Sequence, residues 1–211
     1  MSHDQDQDQD HELEEHRVEA AYSERAAEYT SLLGSVAAMN PLDRTRITSW
    51  ACAIDGPVLD LGCGPGHWTA HLARHGVPVS GVDLTPEFVR IARDRFPHVT
   101  FSIGDASSLD AEDGSLAGVL AWYSLIHTDP RELPRQLSEA ARVLEPGGQI
   151  LIGFFDGNAD EAFEHAVTTA YFHSIEQICA LLEEAGLEAI DSEQRRAPDA
   201  RPHASVLAIK R

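Results

Sequence analysis

The sequence predicts an α/β protein built on a doubly wound, mostly parallel sheet, and three observations predict it. From Val58 onward, short apolar runs alternate with segments of helical periodicity, the pattern of parallel βαβ units. Those runs are apolar at nearly every position, as strands covered on both faces must be. The first of them leads directly into a glycine-rich turn, Gly62-Cys63-Gly64-Pro65-Gly66. With 211 residues, 43% of them hydrophobic, there is material for one sizeable core, so residues 17–211 read as a single domain.

Taken in order, Ser2–Asp10 alternates Asp with Gln and offers almost nothing to bury, which predicts a disordered acidic tail over residues 1–16. Val18, Tyr22, Ala26, Tyr29 and Leu33 recur at helical spacing, predicting a helix over 18–33. A second helix is expected from Asp43, as its N-cap, to Ala53, before Asp55-Gly56-Pro57 breaks it. Val58–Leu61 is the first strand, His67–His75 a helix stopped by Gly76, and Val77–Leu84 the second strand. Thr85-Pro86 reads as N-cap and first helical position of a helix ending near Phe96-Pro97. Val99–Ile103 and Leu116–Tyr123 are the third and fourth strands. Asp129-Pro130 with Glu132 begins a helix that runs to about Leu144. Pro146-Gly147-Gly148 is a turn before a fifth strand, Ile150–Phe155. Residues 157–173 have mixed character and read as an insertion. Ser174 and Gln177 make a capping box for the helix 175–185, closed by Gly186. Leu187–Glu193 and His203–Ile209, around a polar loop, look like an antiparallel hairpin.

Charge narrows the partners. There are 35 Asp and Glu against 16 Lys and Arg, a net charge of −19, and the acids stay in large excess without the tail. Such a chain repels phosphate backbones and anionic headgroups, so neither nucleic acid nor a membrane surface is expected as a partner. No apolar run spans a bilayer, and the start lacks a basic-then-apolar leader. Three cysteines at unrelated spacings, Cys52, Cys63 and Cys179, argue for a reduced, cytoplasmic setting.

The chemistry lies at the glycine turn. Glycines at alternate positions let backbone approach a ligand, and the next helix offers free N–H groups. Dinucleotide loops read G-x-G-x-x-G and seat a pyrophosphate, whereas this one reads G-x-G-x-G with the carboxylate of Asp60 at the strand end. That carboxylate opposes an anion and suits an ammonium or sulfonium ligand. Asp83, 21 residues after Gly62 and ending the second strand, is placed to accept both ribose hydroxyls of an adenosine. Asp105, in Gly104-Asp105-Ala106, is placed to accept from an adenine amino group. Three acids at successive strand ends, with no basic residue among them, describe a pocket for a cationic adenosine.

These stretches, with Gly81-Val82-Asp83-Leu84, Gly118–His127 and Arg142–Gly148, make the chain resemble a class I S-adenosylmethionine-dependent methyltransferase. The branch is the small-molecule one that includes ubiquinone/menaquinone-biosynthesis-like enzymes. Five motifs in order at fitting intervals carry more weight than one glycine loop. The resemblance implies a Rossmann-like, seven-stranded sheet whose last strand is antiparallel. It also implies S-adenosylmethionine as cofactor and S-adenosylhomocysteine as product. Residues 17–55 would form an N-terminal lid from which Tyr22 and Tyr29 reach the cofactor. Gly62 and Gly64 would line its methionine portion, Trp122 would cover the adenine or methionine face, and Cys63, Leu84 and Ala106 would complete the cofactor set.

Methyl transfer requires a nucleophile held in line with the methyl group and water excluded, plus a general base for a hydroxyl acceptor. The candidate catalytic residues are His127, first, and Tyr123, with Asp156, His165 and His173 behind them. Oxygen acceptors are expected first, then nitrogen or carbon. His67, His71 and His75 fall on one helix face but lack carboxylate or thiolate partners, so no metal is expected. Arg195, Arg196 and Arg201 read most simply as solvated charges, with an anionic substrate group as the alternative role for this trio. The assembly is expected to be a monomer or homodimer. The rival readings are an NAD-dependent oxidoreductase, which Asp60 and the shortened glycine spacing disfavour, and a catalytically silent cofactor-binding protein.

Overall fold

A computed structural model of the chain describes residues 30, 35–165, 169–198 and 200–211. The acidic tail, Tyr22, Tyr29 and the helix expected over 18–33, apart from the helical Thr30, lie outside the described residues.

A short 3₁₀ turn (Val36–Ala38) precedes α1 (Pro41–Cys52). Asn40, not Asp43, caps α1. Its side chain accepts from the Leu42 N–H, and Pro41 takes the first helical position, where a missing N–H costs nothing. The βα units follow: β1 (Val58–Leu61), α2 (His67–Arg74), β2 (Val79–Asp83), α3 (Pro86–Arg95), β3 (Thr100–Ile103) and β4 (Leu116–Trp122). β2 starts two residues later than expected because Pro78 has no donor. Its carbonyl instead accepts from the Val58 N–H.

Next come α4 (Leu133–Val143) and β5 (Leu144–Phe155). The α4 helix begins four residues after Asp129, because Asp129 builds its own turn. Its side chain takes the Arg131 N–H and its carbonyl the N–H groups of Glu132 and Leu133. β5 is twice the expected length. It pairs with β4 at Leu144, makes an excursion over Pro146-Gly147-Gly148, and rejoins at Gln149. The insertion contains a small hairpin, β6 (Ala162–Glu164) and β7 (Thr169–Tyr171). After α5 (Ile175–Glu184) the chain ends in β8 (Leu187–Ala197) and β9 (Ala200–Lys210). Both are longer than expected, since the polar stretch from Gln194 to His203 continues the ladder. An exposed edge strand needs no apolar alternation.

The sheet order is β3-β2-β1-β4-β5-β9-β8. β1 to β5 are parallel. β9, last in sequence, runs antiparallel between β5 and β8. One face packs on α4 and α5 through Leu137, Ala140, Ile178 and Leu182. The other packs on α1 and α2 through Ile47, Trp50, Trp68 and Leu72. α3 closes over Phe101 and Cys63 at the β2–β3 edge. The parallel strands therefore deliver their carboxyl ends, and the loops that follow them, to one rim.

Candidate active site

A cavity of about 430 Å³ opens at that rim, within the range of small-molecule sites. Its floor is the glycine turn. The N–H groups of Gly62 and Cys63 both donate to the Val82 carbonyl, at 2.8 and 3.0 Å, which folds the turn back onto β2. Gly62 has φ +68°, and a Cβ there would stand 2.2 Å from that of Ser124 on the far side of the cleft. Gly64 has φ +52° but faces open space. The first is glycine for close packing as well as conformation, the second for conformation and the emptiness above it.

Asp83 organises the turn. One carboxylate oxygen accepts from the Gly64 N–H at 2.7 Å and the other from the Thr85 N–H at 2.9 Å. Burial holds its carboxyl above the usual range, against the pull of those two N–H groups. Asp60 is 2% exposed and accepts from the Thr69 hydroxyl at 2.6 Å. Burial, helped by the charge of Asp83, pushes it up to about 7. The same burial pushes the Cys63 thiol up, so it stays an inert small residue in a cramped turn. Asp105 accepts from both the N–H and the hydroxyl of Ser107, and it lines the cavity with Leu84, Ala106 and Trp122. Among the described residues, Asp60, Asp83 and Asp105 thus share one half of the cavity.

The other half holds the candidate catalytic side chains. Tyr123 has φ +57°, an uncommon conformation for a bulky residue. It is held by its N–H on the Gly153 carbonyl at 2.9 Å and by its hydroxyl on Nδ1 of His203. Burial pushes its phenol far up, so it remains protonated. His127 is 6% exposed, and its Nδ1 donates to the Thr169 carbonyl at 2.7 Å. Desolvation drops its pKa to about 4, leaving a neutral imidazole with Nε2 as its acceptor atom. His165 lines the cavity beside it, with ring centroids 5.2 Å apart.

Two sequence candidates are elsewhere. Asp156 is buried and accepts from Gln194 at 2.7 Å, and His173 is buried against Gln177. Both support the base of the insertion rather than the cavity. Conversely, Arg195 is no solvated charge: it donates to Asp43 at 2.7 Å, and both line the cavity with Phe155 and His203. No local motif marks these residues. Only the register, which sets Phe155 opposite His203 and His203 opposite Arg195, gathers them. Of the histidine stripe, His67 lines the cavity while His71 bonds Thr48 and His75 bonds the His71 carbonyl.

Residues 58–148 match the family described as "Methyltransferase domain". The methyltransferase GfsG of Streptomyces halstedii is 36% identical over 159 residues, 66% of this chain and 56% of that protein. A ubiquinone biosynthesis O-methyltransferase of Xanthomonas oryzae pv. oryzae is 31% identical over 141 residues, 64% of this chain and 57% of that one. The chain thus spans a little over half the length of these curated relatives. The Burkholderia thailandensis 1,6-didemethyltoxoflavin-N1-methyltransferase, solved with its substrate and S-adenosylhomocysteine, superposes with a TM-score of 0.72 at 24% identity. The match covers 92% of this chain and 89% of that one. Residues 58–148 thus match a methyltransferase domain, the relatives are methyltransferases, and the fold is the one shared by solved S-adenosylmethionine-dependent methyltransferases.

Proposed function

We propose that this protein transfers a methyl group from S-adenosylmethionine to a small molecule, with a hydroxyl oxygen as the first-choice acceptor. One observation carries the reading. Around a glycine turn with open space above Gly64, the cavity gathers Asp60, Asp83 and Asp105 and, in that half, no Lys or Arg among the described residues. Such a site suits a cationic adenosine and opposes the pyrophosphate of a dinucleotide. Asp83 would hold the ribose and Asp105 the adenine edge. Asp60 would face the positive charge, with Gly62, Gly64 and Trp122 around the methionine portion and Tyr22 and Tyr29 over it.

Bound S-adenosylmethionine supplies an activated methyl, whose bond to sulfur breaks as the bond to the acceptor forms. The chain's own part is to seat the acceptor, exclude water and receive its proton. Nε2 of neutral His127 is the better receiver, because Tyr123 is held as a phenol. A base with a pKa near 4 stays unprotonated throughout the neutral range. With S-adenosylmethionine saturating, the acid limb of kcat/KM for the acceptor is therefore expected near 4 rather than near 6.5, and a limb at an ordinary histidine value would remove His127 from the role. Residues 17–211 would act as one domain, cytoplasmic, as a monomer or homodimer. No described helix is long and apolar enough to cross a membrane.

Calorimetry tests the reading. S-adenosylhomocysteine should bind and NADH should not, and the reverse would favour the oxidoreductase. Tight binding without transfer to any of a broad acceptor panel would favour a silent binding protein. Asp83→Ala should weaken S-adenosylhomocysteine binding by about 1–3 kcal/mol, and an unchanged dissociation constant would take Asp83 out of the site.

A further inference from the structure

The half of the cavity away from the glycine turn is walled by rings. Tyr123 and Phe155 stand 5.0 Å apart between centroids, Phe155 and His203 5.4 Å, and Phe155 and His165 5.8 Å. All four line the cavity, and His127 extends the wall beyond His165. The contacts are tilted or edge-on, the arrangements in which ring quadrupoles attract.

The wall's own rings carry little charge, and the guanidinium of Arg201 lies 5.9 Å from the Phe155 centroid. Burial lowers the pKa of His127, His165 and His203, so the three imidazoles are neutral at pH 7. The guanidinium of Arg195 is spent on Asp43. Among the described residues, Nδ1 of His165 and Oγ of Ser124 have no hydrogen-bond partner, and both atoms are closed off from solvent.

Resting on the methyltransferase reading above, we propose that the methyl acceptor is a planar, uncharged aromatic molecule bearing a hydroxyl, seated among Tyr123, Phe155, His165 and His203. An aliphatic acceptor of the same size would fill the space but forgo the ring–ring attraction. A carboxylate or phosphate would have to draw Arg195 away from Asp43 or Arg201 off the rings of Phe155 and Phe163. A buried ammonium would meet neutral imidazoles and a carboxylate already paired.

A matched set decides the matter: 2-naphthol, its saturated analogue decahydro-2-naphthol, 2-naphthoate and 2-naphthylmethylammonium. Each is titrated into the full chain by calorimetry, with and without saturating S-adenosylhomocysteine. 2-Naphthol should bind tightest, about fivefold or more ahead of the saturated analogue, and ahead of both ions by about tenfold or more. Phe155→Leu, which keeps apolar volume but removes the ring, should erase the preference for the aromatic. His165→Leu should weaken 2-naphthol while leaving S-adenosylhomocysteine binding unchanged. Circular dichroism checks that both variants fold. Equal or tighter binding of the saturated or charged analogues would overturn the proposal, as would failure of all four to bind. Failure of S-adenosylhomocysteine alone would instead count against the methyltransferase reading, since the naphthols are also compared without it.

Discussion

Asp60 is the residue whose protonation has the most to say about ligand binding. With its pKa raised to about 7, it carries a proton much of the time in the free protein, and a cation beside it is favoured only after that proton leaves. Affinity for S-adenosylmethionine should therefore rise with pH by up to about tenfold per unit below 7 and level off above. Asp60→Asn should flatten the profile, and a wild-type dissociation constant independent of pH between 5.5 and 8 would contradict the assignment. The two glycines of the turn should separate stability from binding. Gly62→Ala drives a methyl against Ser124 and should lower the melting temperature, at a cost of about 1–3 kcal/mol. Gly64→Ala meets nothing and should lose only about 1–2 kcal/mol of stability through its positive φ, while its methyl projects into the space proposed for the cofactor. A melting-temperature drop equal in the two variants, with equal cofactor affinity, would undo that distinction.

At the scale of elements, the parallel half of the sheet was legible because each of its strands is apolar throughout and each turn is punctuated by Gly, Pro or an acid. What escaped was set by partners distant in sequence. α4 starts late because Asp129 spends its carbonyl and carboxylate on a local turn. The end of β8, from Gln194 to Ala197, reads as loop because an edge strand faces water along most of its length. The acids of the glycine turn could be placed from spacing alone, since each ends a strand of the same sheet. Arg195, Asp43 and His203 could not, because strand register sets His203 opposite Arg195 while α1 brings Asp43 to Arg195 from 152 residues away. The cap of α5 was half visible. Ser174 takes the Gln177 N–H at 3.1 Å, but the Gln177 side chain turns to Asp160 and His173 instead of closing the box. Ser174→Ala should accordingly cost about 1 kcal/mol in urea unfolding, and no measurable loss would mean that water replaces the hydroxyl.

Over the whole molecule, acid should be the main chemical threat. His67 and His127 both sit near 4 in the fold and near 6.5 unfolded, so their contribution is present above 6.5 and lost as pH falls toward 4. Asp60 acts the other way: its raised pKa favours the fold below 3.8 and costs stability as pH climbs to 7. Between these limits the unfolded chain gains two protons at the histidines, while the fold keeps the one on Asp60. Burial also lowers the pKa of His71, His165, His173 and His203 and raises that of Asp83, so stability should fall on acidification below pH 6.5, and faster in Asp60→Asn. Urea midpoints at pH 7 and pH 5 would check both slopes, and equal midpoints would refute the accounting.

The position of β9 has one more consequence. Because it is threaded between β5 and β8 rather than added outside them, a nascent chain emerging from a ribosome holds β8 with no strand to zip onto until residues 200–210 arrive. Truncating 200–211 would not trim a border but strand an eleven-residue segment, so such a product should be cleared by proteases instead of accumulating as a slightly shorter enzyme.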